Sequence, residues 1–342
     1  MKKTLVALAV LAAGSAQAGI ELYNQDKVTV NMTGDVEVVY KKAETEGAEF
    51  QQEIQDADFG FDTRYAVNDD LQIGAYWEFS GDKGQADTGD VYMAFYSQSV
   101  GSIKFGKTAT ALDDAGIGGD YQFGINSFFS NGTPFSGDEA VRYDIDKGTF
   151  YGTVAFLQDK NQNNGLGEDG TYFDAKLGAR VADFDFTGFV GKAKFKGTTS
   201  KTTQKVELDA NGDATGNIIN QTVTTPFDAD ETLYALEARY AGVENLNLAA
   251  GYYSLDGDAK VPGVDVKTDT FGLSADYTFN AVTVGAGYSR SSTDLANSED
   301  QNNWYLNAAY SLAPSTKAYA EVGGNDADNS QTGIAIGLKA EF

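Results

Sequence analysis

No cysteine and no histidine occur among the 342 residues of this chain. The first absence excludes a disulfide framework and thiolate metal sites. The second removes the commonest general base and the commonest transition-metal ligand. Proline is scarce, at 4 residues, and 25 Lys and Arg stand against 50 Asp and Glu, a net charge of −25. A chain this acidic repels nucleic acid and anionic lipid and attracts cations. Past the amino-terminal segment, no stretch approaches the ~18 consecutive apolar residues of a spanning helix. If the chain lies in a membrane it must be a closed β-barrel, the other structure that satisfies its backbone in lipid.

What the chain does have is glycine, 39 residues, with 21 Phe and 19 Tyr. That mixture suits tightly turned, amphipathic strands. The first residues stand apart. Lys2 and Lys3 are charged, Leu5 to Ala13 is an apolar core, and Ala16-Gln17-Ala18 is a small-x-small cleavage site. The pattern predicts a secretory signal peptide over residues 1–18 and a mature chain over 19–342. Losing Lys2 and Lys3 makes the mature chain more acidic still.

The remainder alternates. Ile334, Ile336, Leu338, Ala340 and Phe342 are apolar, and the residues between them, Ala335, Gly337, Lys339 and Glu341, are small or charged. A strict period of two with one polar face describes a strand wet on one side. The same parity runs through Val36-Val38-Tyr40, Phe59-Phe61, Ile73-Ala75-Trp77-Phe79, Tyr234-Leu236-Ala238-Tyr240 and Trp304-Leu306-Ala308-Tyr310, with a weaker segment near Ala318-Ala320-Val322. Counted along the chain, such segments number sixteen. At about 20 residues per strand and connection, they fit short turns on one side and long loops on the other. Tyr and Phe at the ends of the apolar faces, such as Tyr40, Phe79, Tyr252 and Tyr288, match an interfacial girdle. The expected fold is all-β: a 16-stranded antiparallel transmembrane β-barrel, wide enough for an aqueous channel. A soluble β-sandwich, its apolar faces turned to a core, meets the alternation equally well.

Two segments interrupt the pattern. Residues 107–137 show no sustained alternation, yet carry Ile117, Phe123, Phe128, Phe129 and Phe135. Long loops without their own structure are usually functional or disordered, and these apolar residues argue against disorder. A loop folded into the barrel accounts for both: its apolar residues lie on the inner wall and its acids face the channel. Residues 192–231 are rich in Thr, Lys and Asp and read as one long external loop. Asp209-Ala210-Asn211-Gly212-Asp213-Ala214 is no calcium loop, since Ala214 stands where the sharp turn needs Gly.

The chain resembles the general diffusion porins of Gram-negative outer membranes, in a form like those of vibrios and their marine relatives. The resemblance rests on Gly101-Ser102-Ile103-Lys104-Phe105-Gly106-Lys107 before the loop and Gly118-Gly119-Asp120 within it. It rests also on Val141-Arg142-Tyr143 after the loop and Gly333-Ile334-Ala335-Ile336-Gly337-Leu338 leading to Phe342. It implies an in-folded third loop, a homotrimer of separately conducting barrels, and passive passage of small hydrophilic solutes. It also implies outer-membrane lipid and lipopolysaccharide as surroundings. In such porins the third loop supplies carboxylates, here Asp113, Asp114 and Asp120, and the facing wall supplies cations. Glu78 falls where an inward carboxylate is common. Asp35, Asp58 and Tyr92 stand where the enterobacterial pattern has basic residues. Arg64, Lys104 and Arg142, with Lys176, Arg180 and Arg239, are the inward basic candidates. Carboxylate rings in a narrow pore select cations, so a cation-selective channel is expected. Two other readings stand beside it. Inward Tyr76, Tyr92, Tyr96 and Tyr121 could stack on sugars, as in a saccharide-specific porin. The external segment could make the chain a structural or adhesive barrel. Paired acids alone could serve acid–base chemistry, but the Ser-His or Asp-His pair usual in barrel enzymes of this membrane cannot form here. No enzyme, cofactor or metal site is expected.

Overall fold

The computed structural model describes residues 19–81, 86–128, 132–208, 214–258, 265–295 and 298–342. The signal peptide read at residues 1–18, and Phe129 of the loop, lie outside them. The strands are β1 (Ile20–Gln25), β2 (Val28–Lys42), β3 (Gln51–Ala66), β4 (Leu71–Ser80), β5 (Asp87–Ser97), β6 (Gly101–Ala109), β7 (Ser136–Asp146), β8 (Phe150–Gln158) and β9 (Thr171–Val181). They continue as β10 (Phe184–Leu208), β11 (Ala214–Val243), β12 (Leu246–Asp258), β13 (Val266–Phe279), β14 (Val282–Thr293), β15 (Gln301–Ala313), β16 (Thr316–Asn325) and β17 (Gly333–Glu341). Each of β2 to β17 pairs antiparallel with the next, and β17 returns to β2, from Ile334↔Lys42 to Glu341↔Asp35. A closed barrel leaves no open edge to be satisfied in lipid.

The seventeenth strand, β1, is absent from the sequence reading. It pairs with the start of β2, from Ile20↔Met32 to Gln25↔Val28. It takes up the edge of β2 that β17 leaves where Phe342 and Gly34 exchange backbone bonds of 2.8 Å. Two strands thus share one edge. Ile20-Glu21-Leu22-Tyr23 is too short to announce itself by period.

Short turns all lie at one end. Residues 182–183, 244–245, 280–281 and 314–315 are the whole of four connections. Ala182, Asn245, Asn280 and Ser315 adopt φ between 52° and 63°, the left-handed region that tight hairpins require. The other end carries the long connections. There the segment read as one long external loop, 192–231, carries strand in its described residues 192–208 and 214–231. Its β10 and β11 pair from Phe184↔Tyr240 out to Leu208↔Ala214, far beyond the point where β9 stops at Lys194↔Thr171.

Burial decides between barrel and sandwich. Leu177, Leu236 and Ile336 are 69%, 65% and 61% exposed, whereas Asp174, Glu321 and Glu237 are 0%, 1% and 3% exposed. A water-soluble protein would not bear that cost twice over. Apolar residues outside and polar residues within belong to a barrel whose solvent is lipid. Inside, tyrosines lie across glycines of neighbouring strands. A Cβ on Gly178 would stand 1.9 Å from the Tyr151 ring, one on Gly287 2.2 Å from Tyr305, and one on Gly337 2.4 Å from Tyr319. Aromatic rings covering strand glycines are a known device for pinning register. Gly337→Val should therefore expel the Tyr319 ring and lower the thermal unfolding temperature. An unchanged melting curve of the folded barrel would refute that role.

Candidate functional site along the inner wall

Between β6 and β7, the described residues 110–128 and 132–135 run along the polar face of the barrel. A single 3-10 turn, Leu112–Asp114, begins the segment. Leu112 is buried with Leu157, Tyr172, Leu233 and Tyr253, and Phe128 and Phe135 lie against the same group. A second cluster joins Phe123 to Val39, Ala309, Tyr319 and Ala335. Between these apolar footholds, wall side chains receive the segment's backbone N–H groups. Leu112 donates to Asp174 (2.8 Å), Gly116 to Glu237 (2.6 Å), and Gly119 to the Tyr305 hydroxyl (2.9 Å). Glu321 alone accepts from Tyr121, Gln122 and Phe123, at 2.8, 2.7 and 2.7 Å. Glu231 accepts from Gly132 and Thr133. Carbonyls are held as well: Arg239 donates to Gly116 O, Asn307 to Gly119 O and Arg142 to Thr110 O. Segments without ladder partners must settle their polar groups some other way, and here the inner wall settles them.

Asp114 bonds Arg142 at 2.9 Å and also Lys176, so it is a neutralised acid. Asp113, its neighbour, is exposed on the same turn. It has no ion pair among the described residues, and the surrounding loop and wall, which withdraw part of its water although its surface is open to the lumen, then Asp114, raise its pKa. Asp120 is not with them. It lies by Gly118 and Gly124, on the side of Asp276 and Glu321. Its carboxylate meets lumen water but is walled in by protein. That partial desolvation, reinforced by Glu321 and Asp276, pushes its pKa up to about 6.

On the wall, Arg64 is clamped by Asp62 through bonds of 2.9 and 2.5 Å and lies 4.0 Å over the Tyr96 ring. Lys104 sits 5.0 Å over Tyr92, which stacks on Tyr76 at 5.3 Å. Arg142 also binds Asp144 at 2.9 Å. Glu78 accepts from the Tyr76 hydroxyl at 2.7 Å and from Asp90 N at 3.3 Å. Asp58 accepts from Gly81 N at 3.3 Å. Asp35 stands directly across the ladder from Asp58 and is 3.6 Å from Lys339, which also reaches Glu341 at 3.3 Å. The structure therefore gathers Arg64, Lys104, Arg142 and Asp114, with Lys176, Arg180 and Arg239, around one cavity of about 900 Å³ on the short-turn side. Asp35, Asp120 and Glu78 are not part of its lining.

A family model described as "Gram-negative porin" matches residues 4–330 of the chain. The chain belongs to the Gram-negative porins. It is 32% identical to the porin-like protein H of Photobacterium profundum, with all of both chains covered. A "Monosaccharide porin" of Halomonas sp is 25% identical, across 96% of this chain and 82% of that one. The solved structure of OmpT of Vibrio cholerae in its trimer form shares the fold, at a TM-score of 0.70 and 18% identity, over 93% of this chain and 100% of that one. This porin is accordingly an outer-membrane channel protein that crosses the membrane as a multi-pass β-barrel.

Several working residues of the porin were missed in its sequence. Glu37, Asp62, Asp174, Glu231, Glu237 and Glu321 all point inward by parity. Nothing in their letters says that Asp174, Glu231, Glu237 and Glu321 accept backbone N–H groups from residues 112–133. The signal available was a lone acid flanked by apolar residues, as in Leu236-Glu237-Ala238 and Ala320-Glu321-Val322.

Proposed function

We propose that this porin is a homotrimer of passive, water-filled channels that favour small cations, each narrowed by the described residues 110–128 and 132–135 of the loop between β6 and β7. One observation carries the selectivity. Arg64, Arg142, Lys176, Arg180, Arg239 and Lys339 are each ion-paired to a carboxylate. By contrast, Asp58, Glu78, Asp113, Asp120 and Asp276 stand on the inner wall or its loop without an ion pair among the described residues, against Lys104 and Lys317 on the cationic side. Five unpaired acids against two unpaired cations leave the acids in surplus, so a permeating ion meets a negative field. The trimeric state is supported by the trimer form of the Vibrio cholerae neighbour. Reversal potentials across planar bilayers in a KCl gradient test the reading. Potassium preference is expected, with openings in steps of three; chloride preference would refute it.

Asp120 gives the selectivity a pH dependence. A carboxyl raised to about 6 is protonated in mild acid and charged above it. Its raised folded-state pKa means that the folded loop holds the proton more tightly, so its contribution to stability is present at low pH and fades as pH rises through about 6. Over the same interval the pore gains a negative charge. Potassium preference should therefore rise between mildly acidic and neutral solution, and Asp120→Asn should flatten that step. A step of equal size in the variant would assign it elsewhere.

The Halomonas relative's name raises sugar binding as a second reading. The faces a sugar would need are taken. Tyr121 is stacked on Tyr319 at 4.0 Å with Lys317 5.1 Å from its ring. Tyr76 and Tyr92 cover each other, and Arg64 covers Tyr96. Glucose and short oligosaccharides are expected to leave single-channel current unblocked; saturable blockade by one of them would favour the saccharide reading.

A further inference from the structure

Among the described residues, every ladder but one joins strands that follow each other in the chain. The exception is the seam between β17 and β2, the last and first strands of the closed barrel, from Ile334↔Lys42 to Glu341↔Asp35. No hairpin backs that ladder, so its closure carries a large loss of chain freedom. Its rim is clasped: the Gln331 amide donates to Ala43 O at 3.1 Å and to Thr45 O at 2.6 Å. Its foot is closed by the exchange between Phe342 and Gly34. Between rim and foot, the inner face of the seam is where the tip of the pore-narrowing loop meets the wall.

Tyr121, Gln122 and Phe123 make that contact. Phe123 is 5% exposed and packs with Val39 of β2 and Ala335 of β17. It lies over Gly323 of β16 and Gly333 of β17, which face each other across the ladder. A Cβ on Gly323 would stand 2.3 Å from Phe123 Cβ, and one on Gly333 2.4 Å from the Phe123 ring. The paired glycines thus form a slot that a side chain on either would close. Gln122 adds polar ties. Its amide nitrogen donates to Glu37 of β2 at 2.8 Å and to the Tyr319 hydroxyl of β16 at 3.1 Å. Its oxygen accepts from Lys41 of β2 at 3.1 Å. The Tyr319 ring, on which Tyr121 stacks, crosses Gly337 of β17, and its hydroxyl donates to Glu37 at 2.5 Å. The loop tip therefore touches β16, β17 and β2 at once. A mere resting place for a loop needs no such reach. A contact that spans both edges of β17 resists separation of that strand from either neighbour.

We propose that Tyr121, Gln122 and Phe123 brace the closing seam from inside, holding β17 to β2 as well as narrowing the pore. The Phe123 ring fills the glycine slot, and Glu37, Gln122 and Tyr319 are tied together across β17. Removing the ring leaves a cavity, and removing the Gln122 amide leaves buried groups without partners. The loop tip then cannot leave the wall without easing the seam, and the seam cannot part without releasing the tip. None of the unpaired lumen acids makes these contacts, so the brace stands whichever ion the pore favours.

The test is amide hydrogen exchange of the folded porin in detergent micelles, each variant's barrel being certified by its compact band in unheated SDS gels. Phe123→Ala empties the slot, and Gln122→Leu removes the ties across β17. Each should quicken exchange of the seam amides, within Val36–Lys42 and Gly333–Leu338, by about tenfold or more. The ladder between β12 and β13 should keep its rate. Phe135→Ala is the control: it loosens the loop's other foothold, beside Tyr172, and should leave the seam as it was. A disulfide across the seam, Val38→Cys with Leu338→Cys, joins partners in the ladder of a chain with no other cysteine. Added to Phe123→Ala, it should restore protection of the seam while the amides of Tyr121 and Phe123 stay faster than in the parent. Unchanged seam exchange in both tip variants would overturn the brace. Equal acceleration in every ladder, or the same seam response to Phe135→Ala, would overturn it too. Gln122→Leu leaves the slot filled and carries the test alone where Phe123→Ala forms no barrel.

Discussion

Glu321→Ala should release the middle of the loop from the barrel wall. The Glu321 carboxylate is 1% exposed and accepts the backbone N–H groups of Tyr121, Gln122 and Phe123 together with the Asn307 amide. Hydrogen bonds to a charged acceptor contribute about 1.5–3 kcal/mol each, and leaving buried donors without a partner costs more than replacing them. Losing all of them should ease local opening of residues 121–123 by on the order of 3–5 kcal/mol. Water can enter the lumen and recover part of that loss, which keeps the figure below the simple sum. Amide hydrogen exchange at Tyr121, Gln122 and Phe123 should then quicken by about a hundredfold or more, since each 1.4 kcal/mol is about tenfold. Single-channel records should show larger and noisier currents. Glu321→Gln, which keeps one acceptor oxygen in the same place, should fall between. Unchanged protection in Glu321→Ala would mean that the Phe123 cluster alone holds the loop.

Which parts of this were legible in the sequence follows from where water and lipid lie. Within the membrane each strand has one wet and one oily face, so Leu236-Glu237-Ala238 or Ile336-Gly337-Leu338 declares itself by period. Past the rim both faces are wet and the period vanishes. That is why β10 and β11 continue through residues 192–208 and 214–231 although the sequence reads there as a loop; the Thr and Val of that stretch favour strands but do not alternate with anything. The loop itself could be bounded, since residues 110–135 are flanked by clear strands, and its Phe residues pointed to the inner wall. Its path could not be read. The path is written in backbone N–H groups meeting Asp174, Glu237, Glu321 and Glu231, and a backbone group has no letter. Ion pairing was equally hidden. Asp113 and Asp114 are the same residue type side by side, yet only Asp114 reaches Arg142 and Lys176.

That difference makes Asp113→Asn and Asp114→Asn unequal, although each removes one formal charge. Two unit charges about 5 Å apart interact by roughly 1–3 kcal/mol at effective dielectric constants between bulk water and a protein surface. Removing unpaired Asp113 subtracts that attraction from a passing cation and nothing else. The potassium-to-chloride permeability ratio should fall several-fold, with conductance near that of the parent. Asp114→Asn subtracts the same charge and also uncovers Lys176 and part of Arg142, which keeps Asp144. Two cations then face the lumen where an ion triad stood, and chloride gains what potassium loses. The ratio should fall further, by about tenfold relative to the parent. Arg142→Gln works in the opposite direction: it leaves Asp114 and Asp144 with fewer partners and should raise potassium preference. It should also slacken the turn at Thr110, whose carbonyl Arg142 holds at 2.8 Å. Reversal potentials for the three variants, taken at one pH above the Asp120 transition, separate these effects. Equal shifts in Asp113→Asn and Asp114→Asn would mean that a permeating ion senses only the total charge, and that the pairing of Asp114 with Arg142 and Lys176 has no part in selectivity.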